Sequence, residues 1–197
     1  MSSNEPDTRS RILKATLALL EESSKNETRM SDIARRAGLS RQAVYLHFPN
    51  RAELLIAATR HLDKISDIDA RLAKSRGAKT GLERLDAFIE AWGNYIPEIH
   101  GVGQALMAMK STDTAAALAW DNRMQAVRQG CVAAVDALER DRVLSIDFTP
   151  DQAADILWAL LSVRNWEQLT AECGWSQAKY IGSIKKLARR ALTSDCE

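Results

Sequence analysis

Arg41, Gln42, Tyr45 and His47 are the residues whose types and spacing suggest a chemistry. A guanidinium and a carboxamide can each make paired hydrogen bonds to a base edge, worth about 1–3 kcal/mol of discrimination apiece. A phenol and an imidazole are better suited to holding phosphates than to reading bases. The same four side chains on a free helix would be ordinary surface polarity; what favours contact is the motif they sit in. A catalytic or metal-binding role for His47 would need a nucleophile or a second ligand close by, and none suggests itself. No catalytic residue, metal site or cofactor is therefore assigned.

These residues must be held outward by something, and the stretch Ser31 to Phe48 supplies it. Ile33, Ala34 and Ala37 make the apolar face of one short helix, and Ala43, Val44 and Phe48 that of a second. Between them, Gly38 fits the position after a helix end where positive φ costs any residue with a Cβ. Ser40 can then cap the second helix by accepting from a free amide. The spacing predicts a helix-turn-helix over 31–48, its second helix placed for a DNA major groove.

The 197-residue chain is long enough for a real hydrophobic core. No apolar run reaches the length a membrane span needs. The opening MSSNEPDTRSR lacks the apolar core of a signal peptide, so a cytoplasmic protein is expected. Cys131, Cys173 and Cys196 are odd in number and widely spaced, which suits reduced thiols rather than disulfides or a zinc site. Cys131 as a redox sensor is disfavoured, because no basic cluster lowers its pKa. Residues 1–60 carry ten Lys/Arg against seven Asp/Glu, and the other 137 carry seventeen against nineteen. A basic front and a mildly acidic back fit a DNA-reading module joined to a domain of another kind.

Helical periodicity runs through the rest. Helices are predicted over about 8–23, with Arg9, Arg11 and Lys14 near the start; over 50–76, capped by Asn50 and about 40 Å long; over 82–96, stopped by Pro97; and over 98–110 and 114–141. Thr149 and Pro150 open a helix to Cys173, and Ser176 caps a last one to Leu192. Arg11 and Lys14 are read as a solvated face. Residues 1–7 and 23–28 are read as a loose tail and a polar loop. No alternating run suits a strand, so the fold class is all-α: an N-terminal three-helix helix-turn-helix domain (1–50) and a C-terminal helical bundle (51–197), about nine helices in all.

The first fifty-odd residues resemble the DNA-binding domain of the tetracycline-repressor (TetR) family. The carrying residues are I-L-x-A at 12–15, S-D-I-A-x-x-A-G-L-S at 31–40 and Y-x-H-F-x-x-R-x-x-L at 45–54. The resemblance implies a homodimeric transcription factor, usually a repressor, released from DNA when a small molecule binds the C-terminal bundle. It implies DNA contacts around Ser40, Arg41, Gln42, Tyr45 and His47, and a phosphate contact by Arg51. Two features depart from the family pattern. Ser24 and Lys25 stand where a Gly-aromatic pair is usual, and Arg29 where a Thr often caps the second helix, leaving that cap to Thr28 or Ser31. Thr28 and Arg29 are counted with the DNA-contacting set.

Trp92, Tyr95, Met107, Trp120, Met124 and Trp158 could line an apolar cavity, with Arg128 and Asn165 to orient a ligand. Ordinary bundle core accounts for each of these taken singly, and the cavity gains only from the family resemblance. The helix at 151–173 is apolar almost all round, so its second partner could be another subunit. Leu157, Leu161, Ile181, Ile184, Leu187 and Ala188 are the expected four-helix dimer interface. The basic run 185–190 reads as a solvated flank. The expected partners are operator DNA, a small-molecule effector and a second copy of the chain, with no membrane.

Overall fold

The computed structural model describes residues 7–22 and 28–194. The tail at 1–6, the loop positions 23–27 with Ser24 and Lys25, and Cys196 lie outside the described residues. Helices account for nearly all the regular structure: α1 (Thr8–Glu22), α2 (Met30–Ala37), α3 (Arg41–His47), α4 (Arg51–Ile65), α5 (Ile68–Arg76), α6 (Gly81–Met109), α7 (Thr114–Arg140), α8 (Pro150–Leu160), α9 (Val163–Glu167) and α10 (Gln177–Leu192). A π-helical turn, Gln168–Glu172, continues α9. Among the described residues the β-type pairing is one isolated bridge, Leu144 to Thr193, and the fold is all-α.

The chain forms two compact units, Met1–Ser66 with Ile99–Arg123 and Asp67–Glu98 with Met124–Glu197. In the first, α1 packs on α2 and α4, and α2 on α3. Its core joins Ile12, Leu20, Ile33, Val44, Phe48 and Leu54 to Val102, Leu106, Met109, Ala116 and Ala119 from far along the chain. The second unit buries Leu85, Ile89, Tyr95 and Ile96 of α6, Cys131 and Leu138 of α7, Leu157 of α8, and Tyr180 and Ile184 of α10.

Three boundaries differ from the sequence expectation, each for a local reason. The predicted helix over 50–76 is broken at Ser66 and Asp67, with Asp67 in the left-handed region at φ 51°. The apolar spacing stays in register across the break, so periodicity could not reveal it. Conversely α6 continues past Pro97. A proline there strips the hydrogen bond that the Gly93 carbonyl would accept, and the Gln177 side chain replaces it, its Nε2 donating to that carbonyl at 2.6 Å. The helix opened by Thr149 ends at Leu160 rather than Cys173. The indole of Trp92 takes the Leu161 carbonyl at 2.8 Å, and the Ser162 hydroxyl caps α9 by accepting from the Asn165 amide.

Capping otherwise follows the residues. Thr149 and Gln152 form a reciprocal capping box with Pro150 in the first turn. Asn50 and Ser176 cap α4 and α10. The starts of α2 and α5 lack such a bond: the cap positions are Arg29 and Asp67, neither with a side-chain bond, so neither Thr28 nor Ser31 caps α2.

Candidate nucleic-acid interface

Gly38 closes α2 at φ 67° and ψ 36°. The Leu39 amide reaches back to the Ala34 carbonyl at 2.9 Å, the bond of a Schellman end. Ser40 follows in extended geometry, and its hydroxyl accepts from the Ala43 amide at 3.1 Å. These two devices set the turn, and Ile33, Val44 and Phe48, all 2% exposed or less, weld both helices to α1 and α4. What remains outward on α3 is Arg41, Gln42, Tyr45, Leu46 and His47, with Ser40 just before them. Tyr45 is 43% exposed and Leu46 82%.

Leu46 was missed by sequence reasoning, which sorted side chains by polarity. Its spacing of four from Gln42 was the available signal. A branched alkyl group standing in solvent beside base-reading polar groups suits a thymine methyl.

The remaining members of the expected DNA set are placed differently. Arg51 is 14% exposed and bound on two sides, its Nε to the Thr28 carbonyl and its Nη1 to Asp113, both at 2.5 Å. Burial pushes the Asp113 carboxyl up, but the Arg51 hydrogen bond and the amides of Ala116 and Ala115 hold it below its ordinary range. A guanidinium so engaged positions the start of α4. Thr28 is 3% exposed, with its hydroxyl buried, so it braces the same corner from inside. Arg29 is exposed. Arg11, read as solvated, donates to the Ala37 carbonyl at 2.8 Å and so ties α1 to the end of α2. Arg36 reinforces that junction through both Glu22 oxygens, at 2.5 and 3.0 Å.

The expected ligand-binding side chains are divided. Met107 and Trp120 belong to the first compact unit and the other six to the second. Trp92 and Tyr95 are buried and meet edge to face, with centroids 6.0 Å apart. Arg128 is held by Asp155 at 2.8 Å, and Asn165 donates to the Ala159 carbonyl. Met124 and Trp158 are half-buried. Of the expected dimer residues, Leu157, Leu161, Ile184 and Ala188 are already buried within the single chain, because α8 and α10 turn these faces to their own unit. Leu187, 51% exposed, and the half-buried Ile181 keep surface. Burial pushes the Cys131 thiol up to about 12, which leaves no thiolate near neutral pH. Among the described residues no group of three or more His, Cys, Asp or Glu could hold a metal ion, and no helix is long and apolar enough to cross a membrane.

Residues 12–58, which contain the whole of this turn and both its helices, match the family described as bacterial regulatory proteins, tetR family. This part of the chain is therefore similar to the tetR family. A tetR-family relative, the HTH-type transcriptional regulator EthR of Mycobacterium tuberculosis, is 27% identical over 136 residues. That alignment covers 66% of this chain and 61% of EthR, so the chain spans about three fifths of the relative's length. Among solved structures, a protein from Saccharomonospora viridis in complex with choline superposes with a TM-score of 0.73 at 19% identity, over 96% of this chain and 100% of that one. Native NalD, the secondary repressor of the MexAB-OprM multidrug efflux pump in Pseudomonas aeruginosa, gives 0.67 at 22%, over 96% and 98%. At those identities the likeness is one of fold. TetR-family proteins are transcriptional regulators and not enzymes.

Proposed function

We propose that this chain is a sequence-specific DNA-binding transcriptional regulator, working in the cytoplasm as a homodimeric repressor on a palindromic operator. The observation that carries the reading is the α3 surface: Arg41, Gln42, Tyr45, Leu46 and His47 stand in solvent on a helix whose other face is core. In this reading Arg41 and Gln42 contact base edges, and Ser40, Tyr45 and His47 hold phosphates. Residues 1–50 are the reading head, and 51–197 bind ligand and pair the subunits. Two recognition helices then enter successive major grooves about 34–36 Å apart, or somewhat more. Leu187 and Ile181 contribute the exposed apolar surface of α10 to the pairing.

A small molecule held among Trp92, Tyr95, Met124 and Trp158 releases the operator by binding the DNA-free form better. Linkage requires that operator DNA weaken the ligand by the same factor. The test is a gel shift against genomic fragments with Arg41→Ala and Tyr45→Ala. Salt-sensitive binding lost in both variants supports the proposal. Undiminished binding in both would sink the assigned reading face.

A further inference from the structure

The first compact unit contains a cleft that shares only His47 with the DNA-reading assignment. It has a volume of about 390 Å3 and lies between α1, the end of α3 and α4. That volume falls in the range of small-molecule sites, about 300–1,000 Å3. Its floor is apolar, made by Leu13, Phe48, Ile56 and Ala57. Its polar groups are nearly all basic: Arg9, Arg60, His47 and His61, against one carboxylate, Glu53. Glu53 is engaged with its helix cap, accepting from the Asn50 side chain at 2.9 Å. Arg9 lies over the Phe48 ring, 4.6 Å from its centroid, which holds a guanidinium at the apolar floor.

His61 is the informative member. Its Nε2 is buried and makes no hydrogen bond to the protein. A buried nitrogen without a partner is costly and asks for one from outside the chain. The charged groups facing this ring are Lys14 and Arg9 from α1 and Lys64 from its own helix, all positive. Desolvation, then these three cations, lower its pKa. A ligand that satisfies Nε2 and suits those neighbours therefore carries negative charge.

We propose that this cleft binds a small carboxylate with an apolar body, its charge met by Arg60 and His61 and its body lying on Leu13, Phe48 and Ile56. A duplex phosphate has the right charge but is hydrated and has no apolar part to set on that floor. His61 takes up a proton as the anion arrives, because a counter-charge at the ring offsets the desolvation and the three cations that keep it neutral.

The experiment titrates the full chain, with isotope-labelled histidine, against octanoate and, separately, its neutral analogue 1-octanol. Octanoate is expected to shift the His61 ring resonances saturably and to raise the ring's titration midpoint. By calorimetry Arg60→Gln should weaken octanoate by about fivefold or more, and 1-octanol should bind more weakly still by a similar factor. His61→Gln should also lose affinity. Arg60 is exposed, so Arg60→Gln keeps the test valid if His61→Gln fails to fold. The proposal is overturned if octanoate leaves the His61 ring unmoved, if Arg60→Gln binds it as well as the parent, or if 1-octanol binds equally. It is also overturned if random-sequence duplex saturates the His61 shift and octanoate does not, since the cleft would then be a phosphate-backbone surface.

Discussion

At the scale of single residues, charge and burial decide more than identity. Arg51 carries the charge expected of a phosphate contact, yet it lies between Asp113 and the Thr28 carbonyl. Nothing near it in sequence announces a carboxylate 62 positions away, so this placement was illegible in a linear reading, whereas Gly38 and Ser40 declared themselves because turn and cap are local. Asp113→Asn leaves the Arg51 charge buried without its counterion, and urea unfolding should report a loss of about 3 kcal/mol. His61 gives a second prediction, with opposite chemistry. Its folded pKa is lowered by desolvation and by Lys14, Lys64 and Arg9, so below the unfolded value of about 6.5 the unfolded chain takes up the proton first. Stability should therefore rise with pH up to that value and fall as pH drops beneath it. Thermal melts between about pH 5 and 7 should show a smaller acid loss in His61→Gln than in the parent.

At the scale of helices, the lesson comes from rule-breaking residues whose compensation lies elsewhere. Pro97 reads as a stop because the rule for the preceding residue is local, but the carbonyl it orphans, Gly93, is served by Gln177 from α10. Gln177 is fixed in turn by accepting from the Trp166 indole at 2.9 Å. No periodicity argument could see a glutamine 84 residues away completing a helix. The prediction is a coupling. Gln177→Leu should cost about 1–3 kcal/mol by leaving a buried carbonyl unpaired. In a Pro97→Ala background, where the amide returns, the same change should cost markedly less. A double-mutant cycle by chemical denaturation checks this, and additive effects would show that Gln177 does not stand in for the missing amide. The helix-turn-helix, by contrast, was legible in its apolar faces, its turn and its Ser40 cap, which fall within eighteen consecutive positions, 31–48, but not in Leu46 or the start of α2.

At the scale of the molecule, the division by sequence and the division by packing differ in kind. A reading along the chain sees a head followed by a bundle. Packing gathers Ile99–Arg123 with Met1–Ser66, so that Val102, Leu106, Met109, Ala116 and Ala119 complete the core beneath α1 and α4. A fragment ending at Ser66 should therefore lack part of its core and the Asp113 partner of Arg51. Circular dichroism should find it without the sharp cooperative melt that the full chain displays. Time enters here as well. At about 5–20 residues per second of synthesis, several seconds separate the appearance of residue 66 from that of residue 123. Throughout that interval a nascent chain carries the recognition helix without the residues that complete its support. On the proposed function, occupation of DNA by unfinished chains would be disfavoured, because the last pieces of the first compact unit are made only after 67–98 have been translated.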